Sequence, residues 1–193
     1  MAIAHACVRT RSHRPGGGAG WSLVEALVVV TILGLSLTVA VPPVLAMRDA
    51  MALRIASHAF IGSMQLTRME AVRRGSRVAM CKSRAHMGCV SEGGWEQGWL
   101  VFHDANGNGG FDATEEIIER NAGYAGLVFT GNQPASQLIA YTPLGPPRTA
   151  TGAMLAGTLT VCHRSAEPAM ARQIVISKTG RARMQEVRVD ICG

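Results

Sequence analysis

The sequence predicts an α+β protein in which a long N-terminal helix is followed by a region of antiparallel β-sheet. Three observations indicate this class: an uncharged aliphatic run over residues 26–47, an apolar periodicity of three and four residues over 48–74, and short β-like runs after Gly75. The chain of 193 residues is 48% apolar, enough for one core of ordinary size and a separate apolar segment. We therefore expect one globular domain preceded by an apolar segment.

The first 20 residues form a basic, glycine-rich leader. Arg9, Arg11 and Arg14 lie there without any acidic residue, so the formal net charge of +6 is partly a property of this segment. Basic residues that flank an apolar segment tend to stay on the cytoplasmic side of a membrane. The charge pattern therefore predicts a cytoplasmic leader over 1–20, with the C-terminal part of the chain outside the cytoplasm.

Residues 26–47 are 22 consecutive uncharged and mostly aliphatic positions. As a helix this run would span about 33 Å, compared with about 30 Å for the hydrocarbon core of a bilayer. A secretory signal has a shorter apolar core followed by a small-residue cleavage site, whereas the glycines here precede the apolar run. The sequence therefore predicts a transmembrane or filament-core helix over 21–47, which carries one acidic residue, Glu25.

The second half of the helix, residues 48–75, has the pattern of an amphipathic helix with one buried face. Gly75 is the expected stop. The basic residues of this segment are typical of a solvated surface, and we do not assign them to a ligand. The apolar or small positions of the face are Leu53, Ala56, Phe60, Met64, Thr67 and Ala71. The basic positions are Arg54, Arg68, Arg73 and Arg74.

After Gly75 the pattern changes to short runs that are typical of strands and are separated by Gly, Asn and Pro. The runs are SRVAMCK, GWLVFH, GLVFT, QLIAY, TLTVCH, RQIVIS and RARMQEVRVD. Trp95 and Trp99 are expected to be core or sheet-packing residues. Residues 76–193 are therefore predicted to form a β-rich globular domain.

Two groups of motifs resemble the GspH/FimT family of type IV minor pilins and type II secretion pseudopilins. The stretch GWSLVE, Gly20 to Glu25, is similar to the class III signal of pilins and pseudopilins. The order MEAVRRGSRVAMC, W-x-x-G-W-x-V-F-x-D-x-N, TLTVC and TGRARM, followed by a terminal Cys, is similar to the rest of a family member. The resemblance covers essentially the whole mature chain and implies one long N-terminal helix packed on two small antiparallel sheets.

The same resemblance implies how the N-terminus is processed and assembled. A prepilin peptidase would cut after Gly20 and methylate the new N-terminus at Trp21, and Pro42 would loosen the helix. Glu25 would pair with the Trp21 amine of a neighbouring subunit, because a carboxylate in hydrocarbon is costly unless it is paired. The implied partners are other major and minor pilins or pseudopilins, the prepilin peptidase and the inner membrane. A single-pass protein with its globular domain in the periplasm would then enter a pilus or pseudopilus.

Four cysteines remain once the leader with Cys7 is removed, and an even number in an oxidising compartment indicates disulfides. Of the three pairings, we favour Cys81 with Cys89, which closes a short loop, and Cys162 with Cys192, which would pin the C-terminus. Zinc binding is the alternative, although the spacing fits no standard knuckle. Its candidate ligands are Cys81, His86 and Cys89 with Cys162 or His163.

The segment DANGNGGFDATE, residues 104–115 and here called the acidic loop, matches the calcium-loop pattern D-x-[DN]-x-[DN]-G-x5-E, with Gly109 at the sharp turn. The strand-like GWLVF before it differs from the helix that precedes an EF-hand loop. Calcium binding and a solvated Gly/Asn hairpin loop therefore both stay open; we expect no cofactor, with calcium at this loop as the alternative. The potential ligands are Asp104, Asn106, Asn108, Asp112 and Glu115.

The segment SKTGRARMQEVRV predicts a β-hairpin with a turn at Thr179 and Gly180. Arg181 and Arg183 are two residues apart, so in a strand they would project from one face roughly 6–7 Å apart and could contact neighbouring phosphates. The letters G-R-A-R at 180–183 also fit the G-R-x-R motif of the FimT branch, where the resemblance implies DNA binding during natural transformation. The predicted DNA-binding residues are Lys178, Gly180, Arg181, Arg183 and Arg188.

Enzyme motifs such as a nucleophile elbow, a phosphate loop or H-E-x-x-H do not occur in the sequence. Two functions remain. The favoured one is a minor type IV pilin that binds extracellular double-stranded DNA through its phosphates, without sequence preference and with strong salt dependence. The alternative is a GspH-like pseudopilin of the type II secretion system, a structural filament subunit that does not bind DNA.

Overall fold

The computed structural model describes residues 21–84, 87–164 and 169–192. The chain divides into two compact units, Met1–Val44 and Leu45–Gly193, and the long helix α1, Leu23–Arg74, contributes residues to both. The predicted leader with its cleavage position Gly20 lies outside the described residues, as does His86 of the zinc alternative.

In the first unit, α1 exposes apolar side chains while its polar groups are satisfied locally. The Glu25 N–H donates to Ser22 Oγ at 3.2 Å, which caps the first turn. Hydroxyl groups along the helix donate to backbone carbonyls three or four residues earlier, and they belong to Thr31, Ser36 and Thr38. Leu23 and Leu35 are 81% and 73% exposed. This part of the helix therefore presents a surface that is almost wholly apolar to its surroundings.

The helix ends where the sequence predicts. Gly75 adopts a φ of 64°, and its N–H donates to the Val72 carbonyl at 3.3 Å, which closes the last turn. The helix is continuous through position 42, so the loosening predicted at Pro42 does not interrupt it. Over the described stretches, no helix combines the length and the apolar content needed to cross a membrane.

In the second unit, the predicted buried face of α1 is confirmed, because all six of its positions are buried. Phe60 packs edge-on against Trp95 and Trp99, with ring centroids 5.1 and 5.3 Å away. The Nε1 of Trp95 donates to the Ala135 carbonyl at 3.0 Å, and that of Trp99 donates to Ser63 Oγ at 2.9 Å. Both tryptophans are therefore core residues whose polar atom is satisfied, as predicted.

The strands form two antiparallel sheets, as the resemblance implies. The first has the order β3-β2-β1-β5-β6 and the second the order β4-β7-β8-β9. Their bounds are β1 Val78–Lys82, β2 Trp99–Phe102, β3 Ile117–Asn121, β4 Leu127–Gly131, β5 Leu138–Tyr141, β6 Pro147–Arg148, β7 Gly157–His163, β8 Ala169–Ile176 and β9 Ala182–Val189. One hydrophobic core joins the α1 face to side chains from both sheets.

Two strands lie outside the predicted runs, and both are at sheet edges. In β3 the sequence IIERN is charged at its centre, and Glu119 accepts a hydrogen bond from Ser63 Oγ at 2.8 Å. Strand β6 has only two residues, one of them Pro147, and proline within a sheet is confined to edges because it lacks an N–H. Neither strand has the alternating apolar pattern on which strand prediction rests.

Both predicted disulfides are present, so this prediction is confirmed. Cys81 and Cys89 have Cα atoms 5.5 Å apart, and Cys162 and Cys192 have Cα atoms 6.0 Å apart. The zinc alternative is wrong, because sulfur atoms joined in disulfides offer no thiolate ligand. Across the described ranges, no group of three or more His, Cys, Asp or Glu side chains is placed to hold a metal ion.

Candidate nucleic-acid interface

Residues 177–183, here called the basic hairpin, comprise the β8–β9 connection and the first two residues of β9, and they are built on a tight turn. Gly180 adopts a φ of 81°, which favours glycine, and its N–H donates to the Ser177 carbonyl at 2.8 Å. The Ser177 N–H donates to the Arg181 carbonyl at 3.0 Å, and the Arg181 N–H donates to Ser177 Oγ at 3.1 Å. These bonds hold the backbone of the turn, which lies where the sequence places it.

Arg181 and Arg183 project from the outer face of the second sheet. Both side chains are exposed, whereas Ala182 between them packs against the hydrophobic core. Because side chains alternate along a strand, the inward position of Ala182 directs its two neighbours outward, about 6–7 Å apart. Strand β9 is an edge strand and pairs with β8 along its whole length. Arg183 therefore stands on the hydrogen-bonded ladder of β8 and β9, and Arg181 lies one residue before β9, at the end of the turn.

The basic hairpin holds its cations without neutralising acids. Lys178 is exposed at the turn, and residues 177–185 contain no Asp or Glu. Within the described part of the chain, none of Lys178, Arg181 and Arg183 forms an ion pair. A cluster of three unpaired and exposed cations produces a local positive potential that attracts polyanions.

The structure does not bring Arg188 together with this cluster, and we leave it out of the proposed site. Val187 and Val189 pack against the small cluster around Cys162 on the face that also carries Arg183. Arg188 alternates to the opposite face of β9, where it pairs in register with Met170. It is also five residues from Arg183, a separation of about 17 Å along a strand.

The two arginines at the end of α1 are paired with acidic residues, in contrast to the cations of the hairpin. Arg73 and Arg74 both bind the Glu70 carboxylate, at 2.6 and 2.8 Å. Arg74 also makes two hydrogen bonds to Glu116, at 2.6 and 2.9 Å. Hydrogen bonds from Arg73 and Arg74 lower the pKa of Glu70 to about 2. The prediction of a solvated basic surface holds for Arg73, whose side chain is 66% exposed, but not for Arg74, whose side chain is 19% exposed.

Asp104 and Arg77 anchor the acidic loop to the globular unit. Asp104 is buried, and its Oδ2 lies 2.9 Å from Arg77 Nε and accepts the Gly109 N–H at 3.1 Å. The remaining guanidinium nitrogens of Arg77 donate to three backbone carbonyls, one of them that of Gly107. Burial raises the pKa of Asp104, and the charge of Arg77 opposes part of that rise.

The other candidate calcium ligands of this loop bind one another. The side-chain amides of Asn106 and Asn108 donate to Asp112 Oδ2 at 2.7 and 2.9 Å, and their oxygens accept backbone N–H groups. The Glu115 carboxylate accepts the N–H groups of Ala105 and Asp112, both at 3.0 Å. These contacts engage oxygens of Asn106, Asn108, Asp112 and Glu115 with donors of the loop itself, whereas Asp104 is buried and its Oδ1 has no hydrogen-bond partner among the described residues. The structure therefore favours a hairpin loop held by its own hydrogen bonds over the calcium interpretation.

The residues implied in filament assembly lie at the start of α1. Trp21 is 71% exposed, and Glu25 is also exposed, one turn further along. Neither belongs to a hydrophobic cluster of the described residues, so a role in the core does not explain them. Their roles in processing and assembly stay predictions, because these roles need a second subunit.

Two cations have structural positions that the sequence did not indicate. Lys82 is buried and donates from Nζ to the Ser91 and Gly93 carbonyls at 2.8 and 2.7 Å, which holds the loop that follows the Cys81–Cys89 disulfide. Burial lowers the pKa of Lys82. Arg68 of α1 lies against Gly145, which is 77 positions away in the sequence. Both placements depend on tertiary contacts, for which the local sequence carries no signal.

An N-terminal helix with an uncovered apolar half, combined with a disulfide-linked unit of two antiparallel sheets, defines the class of pilin-like filament subunits. The family model described as "Type II transport protein GspH" matches residues 56–180, more than half of the chain, and the chain therefore belongs to the GspH family. It is a minor pilin or pseudopilin of the type IV and type II systems, a structural subunit and not an enzyme.

Individual relatives agree with this assignment. The chain is 29% identical over 167 residues to the pilin-like protein PilA1 of Thermus thermophilus, across 86% of this chain and 97% of that protein. Two crystal structures of the type IV minor pilin FimU of Pseudomonas aeruginosa are similar with TM-scores of 0.55 and 0.53, both at 16% identity. They cover 76% and 73% of this chain and 99% and 100% of their own. At this identity the likeness concerns the fold.

Proposed function

We propose that this subunit is a minor type IV pilin that captures double-stranded DNA on the basic hairpin for uptake in natural transformation. The observation that carries the proposal is the outward pair Arg181 and Arg183, exposed beside Lys178 and free of acid partners within the described residues. Arginine makes bidentate hydrogen bonds to phosphate, and a pair about 6–7 Å apart can bind successive phosphates of one strand.

Binding of this kind reads the charge of DNA and not its sequence. The hairpin offers no recognition helix, and its cations stand on a sheet edge at the surface. Each phosphate neutralised releases counterions, so three contacts predict a slope of about −2.7 for log affinity against log salt concentration. Affinity should then be uniform across sequences and fall steeply with salt.

The filament part of the proposal concerns the first residues of α1. Cleavage after Gly20 would place the amine of Trp21 at the start of the helix, four residues before the Glu25 carboxylate. The exposed apolar side chains of residues 23–44 would hold the subunit in the inner membrane and later pack against other subunits. Pairing of Glu25 with the Trp21 amine of a neighbour would offset the cost of burying either charge.

The test is a gel-shift titration of short duplex DNA with the full chain in neutral detergent. The variant Arg181→Ala/Arg183→Ala is expected to weaken binding at least about tenfold at low salt, because two phosphate contacts are lost. The matched control, Arg54→Ala/Arg188→Ala, removes the same charge from exposed positions elsewhere and should retain wild-type affinity. Equal losses in the two double variants would contradict a localised site.

A second candidate function is a pseudopilin of the type II secretion system, a filament subunit without DNA binding. The description of the matching family model favours it. The same titration separates the two functions, because a pseudopilin of this kind has no need for an affinity for DNA. A wild-type chain that leaves duplex DNA unshifted at low salt would overturn the DNA proposal and leave the secretion function.

A further inference from the structure

Arg68 lies on the half of α1 that belongs to the globular unit, and its guanidinium covers Gly145 in the connection between β5 and β6. A Cβ placed on Gly145 would lie 3.2 Å from Arg68 Nη2 and 3.5 Å from Nε, so the guanidinium rests directly on this glycine. Gly145 has a φ of 90°, and its N–H donates to the Thr142 carbonyl at 2.9 Å. The Arg68 guanidinium therefore packs on a tight turn at Gly145, which has no side chain.

The same turn touches the tip of the basic hairpin. A Cβ placed on Gly180 would lie 3.3 Å from the Gly145 carbonyl oxygen, 3.3 Å from Pro147 Cδ and 3.0 Å from Tyr141 Cε1. Gly180 immediately precedes Arg181. One side of Gly145 is thus covered by Arg68, and another is in contact with the hairpin tip. Three segments that are distant in sequence meet here, and they bring Arg68 of α1 to the turn that contacts Gly180 at the tip of the hairpin.

The charge of Arg68 is available to a ligand. Its side chain is half-buried, and it forms no ion pair with any residue in the described ranges. Glu70, the acid nearest to it in sequence, is already bound by Arg73 and Arg74. Burial raises the pKa of Tyr141 to about 12, and the positive charge of Arg68 opposes part of that rise. The guanidinium is therefore near the Tyr141 phenol and has no acidic partner among the described residues.

We infer that Arg68 is a further phosphate-binding residue, and that the DNA-binding surface extends from the hairpin tip across Gly145 to α1. The inference rests on the proposed function, because it adds a contact to the same site. The two glycines keep the surface between the cations low, so a phosphate backbone can approach both guanidinium groups. Arg68 would hold a phosphate next to those bound by Arg181 and Arg183.

The test is an anisotropy titration of a labelled duplex with the full chain in neutral detergent, at several salt concentrations. The variants are Arg68→Gln, Arg68→Lys and the control Arg54→Gln. Arg54 is an exposed cation on the same helix, 14 residues or about 21 Å away. Loss of one phosphate contact should lower the magnitude of the salt slope by about 0.9 in Arg68→Gln, whereas Arg54→Gln should keep the wild-type slope.

Between about 50 and 200 mM salt, the affinity advantage of the wild type over Arg68→Gln should therefore shrink about threefold. Arg68→Lys, which keeps the charge, should keep most of the slope, whereas a purely structural role of the guanidinium would make Lys as harmful as Gln without changing the slope. Equal slopes in Arg68→Gln and Arg54→Gln would overturn the inference. The proposed function would remain supported in that case if Arg181→Ala/Arg183→Ala loses DNA binding, because that variant tests the hairpin independently of Arg68.

Discussion

The acidic loop and the basic hairpin both match a ligand-binding motif in sequence, but they use their charges in opposite ways. Every carboxylate of the acidic loop accepts hydrogen bonds or an ion pair from within the unit. The three cations of the hairpin face solvent, and their backbone alone is tied down. The comparison teaches that a sequence motif alone does not identify a ligand site, because folding can pair most of its polar atoms within the protein.

The largest effect is expected from removing the anchor of the acidic loop. Arg77→Ala would leave the buried Asp104 carboxylate without its partner, and breaking one side of a buried ion pair costs about 3–5 kcal/mol. The free energy of unfolding can be measured in urea from the fluorescence of the buried tryptophans. Arg183→Ala is the matched variant and should change it by less than about 0.5 kcal/mol. A similar loss of unfolding free energy in Arg77→Ala and Arg183→Ala would contradict the contrast between the acidic loop and the basic hairpin.

A smaller effect is expected in acid, at the paired carboxylate of α1. Because Arg73 and Arg74 hold the pKa of Glu70 at about 2, the ionised form stabilises the fold. That stability is fully present above about pH 4.5 and is lost as the pH falls toward 2. Glu70→Gln should therefore be less stable at neutral pH and should lose less stability between pH 4.5 and 2.

The measurement for Glu70 is urea unfolding at a series of pH values. Glu92→Gln is the control, because Glu92 is exposed and forms no ion pair in the portion of the chain that the structure covers. It should keep the wild-type dependence on pH. If Glu70→Gln lost as much unfolding free energy as the wild type between pH 4.5 and 2, the arginine contacts would not stabilise the folded state.

The smallest effect is expected from calcium. The oxygens of the acidic loop already accept hydrogen bonds within the protein, so calcium at about 1 mM should leave the unfolding temperature unchanged. Magnesium at the same concentration controls for ionic strength. A rise in the unfolding temperature that is specific to calcium and absent in Asp112→Asn would show that the acidic loop binds calcium.

Local patterns were sufficient for most of the fold. The three-and-four periodicity identified the buried face of α1, Gly75 marked its end, and alternation or short apolar runs located seven of the nine strands. The disulfides followed from parity and loop length. Strands β3 and β6 were missed because edge strands need no apolar alternation, and their pairing depends on a neighbour found elsewhere in the chain.

The site was harder to predict, because charge placement depends on tertiary partners. The anchor of Asp104 is Arg77, which lies 27 residues earlier, and the neighbour of Arg68 is Gly145. Neither pair can be recognised from the local spacing of residues in the sequence. Arg188 is a different case, since an odd separation of five from Arg183 already places it on the opposite face of a strand. That signal was in the sequence.

The Cys162–Cys192 bond has a mechanical consequence. It joins Cys192, three residues after the end of β9, to the interior strand β7, so β8 and β9 lie within a covalently closed loop. A load applied to an edge strand is otherwise carried by its ladder of hydrogen bonds alone, which can open one pair at a time. Here tension along β9 passes through a covalent bond into the middle of the sheet. Strand β9, which carries Arg183 and directly follows Arg181, is thereby protected against being pulled off the sheet edge.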